Sequence, residues 1–184
     1  MDQSYPALPP LPPRDTKDWT FVLSSRCPDC GYLGSEVHST SLAERVRSVG
    51  PVYVDVLGRA WAGKRPEPLV WSPLEYGCHV RTVLRLYASR VHLMLEQENP
   101  LFEAVDHEDL AVRERFDLQD PTCVGAEILE AAEKLAAAFD RVQGEDWQRT
   151  CLKSDGHPFT IESLGRYVLH DIIHHIWDVT RDYK

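Results

Sequence analysis

The chain has 184 residues, 43% hydrophobic and 27% charged, with a formal net charge of −9. This describes one globular domain with or without a short appendage. The acidic balance argues against a nucleic-acid binder, which needs a basic face to displace phosphate counterions, and no apolar run reaches the roughly 18 to 20 residues that would cross a bilayer. The N-terminal stretch "MDQSYPALPPLPPRD" has neither the basic nor the apolar segment of a secretion signal. The expected location is therefore the cytoplasm, with the five cysteines mostly reduced.

In chain order, residues 7 to 15, "ALPPLPPRD", hold four prolines and predict an extended lead-in. Residues 1–40 as a whole read as an irregular extension containing "CPDCG". Residues 41 to 62 predict a helix with Ser41 as N-cap, kinked or interrupted at Gly50-Pro51. The stretch 72 to 97 carries the clearest helix start: Ser72 as N-cap, Pro73 in the first turn and Glu75 closing a capping box. Residues 98 to 122 form a long acidic connection with room for a helical turn. Apolar residues at helical spacing predict a helix over 123 to 143. "KSDGHPF" (153 to 159) reads as a turn, and a last helix starts near Thr160, its N-cap, and runs almost to the end. Four principal helices without alternating strand patterns predict an all-α four-helix bundle over 41–184.

The last helix contains "YVLHDIIHHIWDV", residues 167 to 179. His170 and His174 are four apart and share one helical face, about 40° apart around the axis. Two imidazoles at that spacing can grip one metal ion. His175 is turned about a further 100° and is the poorer candidate. The flanking Leu169, Ile172, Ile173 and Ile176 argue for ligands aimed into a bundle rather than a solvated histidine cluster. An open zinc site needs a third ligand from another helix. His79, in the first turns of the second main helix, is the candidate. Glu75 lies one turn before it, and Asp178, one turn after His174, can act as a supporting carboxylate.

"VWSPLEYGCHV" followed some way on by "FTIESLGRYVLHDIIHHIWDV" resembles the DinB-like superfamily. The resemblance covers roughly residues 41 to 180. It implies a four-helix bundle holding a divalent metal on one residue from the second helix and two, four apart, from the last. By position these are His79, His170 and His174, with zinc expected and nickel the other candidate. The tail also resembles the mycothiol-dependent maleylpyruvate isomerase branch, where the position matched to His170 is a glutamate. The histidine here departs from that branch. The resemblance further implies an S-transferase or isomerase joining a low-molecular-weight thiol, such as mycothiol, to a small electrophile, with Glu75 or Asp178 assisting. Metal-dependent hydrolysis with Glu75 as base, and a non-catalytic metal-binding stress-response role, are the rivals. Superfamily members often dimerise, so a homodimer is compatible, although no interface is legible.

"CPDCG", residues 27 to 31, resembles a zinc-ribbon knuckle, in which proline and glycine shape a turn that aims two sulfurs at one ion. No second CxxC completes it. His38, Cys123, Cys151 and His157 are the candidate partners, none at a diagnostic spacing. A second metal on Cys27 and Cys30, a redox pair, and a turn with two ordinary thiols all stay open.

Overall fold

The second main helix begins as its sequence dictates. In the computed structural model, which describes residues 6–181, the Ser72 hydroxyl accepts from the Glu75 amide. The Glu75 carboxylate in turn accepts from the Ser72 amide, at 2.8 Å. This reciprocal cap, with Pro73 in the first turn, launches α2 (Pro73–Glu96). The outer ends of the predicted extension and bundle, residues 1–5 and 182–184, lie outside the described residues.

The other long helices are α1 (Leu42–Leu57), α4 (Pro121–Asp140) and α5 (Ile161–Arg181); a short α3 (His107–Arg113) lies in the acidic connection. The Asp120 side chain caps α4 by accepting from Cys123 N, and Thr160 Oγ1 accepts from Ser163 N at the start of α5. Helices α1 and α2 each pack on both α4 and α5 and touch one another little. The two helices adjacent in sequence therefore lie diagonally across the four-helix bundle. Buried apolar faces of all four fill the centre, with Leu42, Tyr53, Leu84, Ile128, Leu135, Leu164 and Ile172 almost wholly excluded from solvent.

Two local expectations are corrected. Helix α1 runs through Gly50-Pro51 without interruption, although the proline removes a helical hydrogen bond. Gly50 seats Leu129 of α4, where an added Cβ would come within 2.7 Å of Leu129 Cδ2. Burial of Val46, Val49 and Tyr53 against the bundle outweighs the local preference. Ser41 makes no side-chain cap.

The second correction is a small three-stranded sheet, β1 (Leu101–Phe102), β2 (Thr150–Lys153) and β3 (Pro158–Thr160). β1 pairs parallel to β2, which pairs antiparallel to β3. Strands of two to four residues are too short to show alternation. The predicted 153 to 159 turn is the tip of the β2–β3 hairpin, with Gly156 at φ +87°.

The N-terminal segment does not trail away. A 3-10 turn over Trp19–Leu23 and the Cys27 knuckle lie against α5. Tyr32 donates its hydroxyl to the Arg166 carbonyl at 2.7 Å, and Arg166 Nε donates to the Val37 carbonyl at 2.9 Å.

Candidate metal centre

Two overlapping i,i+4 pairs stand on α5. His170 and His174 face the N-terminal segment; Asp171 and His175 face α2. The His170 ring lies 5.2 Å from Trp19 and 5.4 Å from Tyr32, and His174 lies 4.9 Å from Trp19. The His175 ring lies 4.8 Å from His79 and 5.0 Å from Tyr76, both on α2. One residue of helix rotation, about 100°, separates the two pairs and sends them to different neighbours.

The first group consists of His79, Asp171 and His175, whose ligand atoms lie within 4.8 Å of one another. Asp171 Oδ1 is 3.1 Å from His175 Nε2 and 3.5 Å from His79 Nε2. On its far side, His175 Nδ1 is 2.9 Å from Asp178 Oδ2. A carboxylate behind a ligating imidazole fixes its tautomer and ring orientation. Burial opposes ionisation of Asp171, but hydrogen bonds from His175 and His79 outweigh it and hold the carboxyl well below its usual range. Burial lowers His175, yet the two carboxylates outweigh it and raise its pKa to about 9. His107 of α3 stands over the group, its ring 4.7 Å from His79. Burial, then the neighbouring His79, lower its pKa to about 4.

Two imidazoles and one carboxylate are a donor set that suits a divalent transition metal. Their convergence and the Asp178 brace fit such an ion. The group forms part of the wall of a cavity of about 600 Å³, which Trp71, Tyr76, Tyr87 and Tyr167 also line.

The second group is Cys27, Cys30, His170 and His174, again with ligand atoms within 4.8 Å of one another. Cys27 Sγ lies 3.5 Å from His174 Nδ1. Both cysteines are free thiols.

The structure thus divides the triad expected from sequence. His170 and His174 are together, but His79 groups with Asp171 and His175 instead. Among the predicted partners of the knuckle, none of His38, Cys123, Cys151 or His157 joins it. Glu75 does not line the cavity. Its oxygens are taken by the Ser72 amide and by Arg65, with Arg65 Nε at 2.8 Å, so it serves the helix cap and a buried ion pair rather than the centre. Asp178 lies 2.9 Å from His175 Nδ1 and 3.9 Å from His174 Nε2.

A family model of the DinB superfamily matches residues 42–179. The chain belongs to the DinB superfamily. No curated protein matches it in sequence. Among solved structures it is similar to YfiT from Bacillus subtilis, described as "a probable metal-dependent hydrolase with an unusual four-helix bundle topology", with 18% identity and a TM-score of 0.67. The match covers 78% of this chain and 86% of YfiT. At that identity the likeness speaks to the fold.

Within this DinB bundle, Asp171 is the residue that sequence reasoning passed over, and His175 the one it ranked behind His170 and His174. The signal was present: Asp171 and His175 are also four apart. Counting carboxylates beside histidines at that spacing gives two candidate pairs, and only the packing of α5 against α2 selects between them. His107, in the acidic connection, is carried by α3 to the cavity wall.

Proposed function

We propose that the chain is a metal-dependent enzyme acting on a small molecule in the cavity, with the ion held by His79, Asp171 and His175. The observation that carries this reading is the convergence of His79 Nε2, Asp171 Oδ1 and His175 Nε2 at the wall of that cavity. Three protein ligands leave a position open to a substrate or water, as catalytic zinc sites do. When bound, a divalent ion there would supply the charge that favours the deprotonated form of a thiol or water.

The chain's own residues divide the remaining work. Asp178 holds the His175 ring in place. Trp71 and Tyr76, whose rings lie 5.6 Å apart, wall the centre with apolar surface and restrict water. His107 sets an imidazole over the centre, its ring 4.7 Å from His79, beside a molecule bound in the cavity. Lys17 and Arg90 on the cavity wall suit a substrate bearing a carboxylate or other anionic group.

We infer transfer of a low-molecular-weight thiol, of the mycothiol kind, to a small electrophile as the reaction. Asp171 supports it, because it gives the set a carboxylate between two histidines, one position after the place where the mycothiol-dependent branch resembled by the sequence carries its glutamate. The second reading is hydrolysis, supported by the description of YfiT and by the cavity beside the donor set, which has room for water. Metal-loaded protein should consume thiol in the presence of electrophilic halides, epoxides or activated alkenes. Ester or amide cleavage without thiol would instead support hydrolysis. If neither reaction occurs above the rate of an Asp171→Ala variant, the enzymatic reading fails.

A further inference from the structure

We propose that Cys27, Cys30, His170 and His174 form a second, closed metal site, independent of the cavity centre, that takes zinc and fastens the N-terminal segment to α5. Four donors are present, and their ligand atoms are mutually within 4.8 Å. The two sulfurs come from one knuckle: the Cys27 amide donates to the Tyr32 carbonyl at 2.8 Å, and the Gly31 amide to the Cys27 carbonyl at 3.0 Å. Gly31 turns the chain at φ +75°, a conformation few other residues adopt without strain. The two imidazoles come from one face of α5. The combined pattern, C-x2-C with H-x3-H, is a zinc ligand spacing, even though Cys27 and His174 are 147 positions apart.

Burial supports a ligand here. Cys27 is 1% exposed and His170 3% exposed. His170 Nε2 is buried with no hydrogen-bond partner among the described residues. An imidazole nitrogen left so is unfavourable, and coordination would satisfy it. Charge supports it as well. Two thiolates cancel the charge of a divalent ion, so the filled site is neutral and suits a buried place, whereas His79, Asp171 and His175 leave a net positive charge facing the cavity. Soft thiolate donors with imidazole in a four-coordinate set select zinc over magnesium, calcium or manganese. The two sites are neighbours through His170–Asp171 and His174–His175, and His170 and His174 line the cavity together with Trp19, which packs on both.

The test is metal stoichiometry and cobalt spectroscopy on the full chain. Protein purified with zinc should carry two equivalents, falling to one in the double variant Cys27→Ser/Cys30→Ser and to one in Asp171→Ala. Replacing zinc with cobalt should give thiolate-to-cobalt charge-transfer absorption in the near ultraviolet, retained in Asp171→Ala and lost in the double cysteine variant. Should that variant fail to fold, the intact protein decides: a chelator should release metal and expose two additional titratable thiols. The proposal is overturned if no thiolate absorption arises through two equivalents of cobalt, if the cysteine variant keeps both equivalents, or if Cys27 and Cys30 are recovered as a disulfide from the zinc-loaded protein. Metal content that falls only in Asp171→Ala sinks the closed site alone; content that falls only in the double cysteine variant sinks the cavity centre alone.

Discussion

Asp178 shows how one side chain outside a donor set can govern it. Its Oδ2 stands 2.9 Å from His175 Nδ1, where a carboxylate orients an imidazole and raises its basicity. Asp178→Asn keeps the shape and removes the charge. Such partners typically contribute about 10- to 100-fold in metal affinity. Chelator competition should therefore show the cavity centre weakened by about that factor, with the cysteine-dependent equivalent unchanged. Unaltered affinity at the cavity centre would mean that Asp178 merely fills space. Glu75 behaves differently. Its side chain is 4% exposed and paired with Arg65, itself 13% exposed. Removing one partner of such a pair strands the other charge, at a cost of about 3–5 kcal/mol. Glu75→Ala should lower unfolding stability in urea by that order while metal content holds. A variant that instead lost metal with stability intact would return Glu75 to the centre.

At the scale of the element, legibility follows the range of the forces involved. The start of α2 was readable because a capping box is made within four residues: Ser72, Pro73 and Glu75 carry it whatever the rest of the chain does. The start of α5 at Thr160 was readable for the same reason. The continuity of α1 was not, because Pro51 speaks for a break and only burial of Val49 and Tyr53 speaks against it. The choice between the 170/174 and 171/175 pairs was equally hidden. Both have helical spacing, and the decision lies in which neighbour each face meets. The diagonal placement of α1 and α2 likewise rests on contacts between distant segments. Those contacts make Gly165 a sensitive point on α5. A Cβ there would come within 2.6 Å of Leu42 Cδ1 and 3.1 Å of the Phe139 ring. Gly165→Ala would normally gain from helix propensity, by about 1 kcal/mol. Overpacking a close-packed core typically costs about 1–3 kcal/mol, so the net change should be destabilising, read as a lower denaturation midpoint at unchanged slope. A stabilised variant would mean that α5 shifts to make room.

For the whole molecule, the N-terminal segment is the part that the matched region, residues 42–179, does not contain. It nevertheless covers the helix that bears both donor pairs, through Tyr32, Val37 and Trp19. Val22, Tyr32 and Val37 are buried there, and a bridging ion would add to that apolar attachment. An ion that binds only the folded chain stabilises it by RT ln(1 + [L]/Kd), about 2.7 kcal/mol at a free concentration a hundred times the dissociation constant. In a domain of this size each kcal/mol moves the melting midpoint by about 2–4 °C, so one filled site should raise it by about 5–11 °C. Calorimetry of zinc-loaded protein against chelated protein should show an increment from each site. Cys27→Ser/Cys30→Ser should lose only its share, and limited proteolysis of that variant should cut first between Trp19 and Val37 and leave the bundle intact. If the bundle itself were cleaved as early as that segment, the knuckle would be holding the helices together rather than holding the segment to them, since loss of a local clamp exposes only what it clamps.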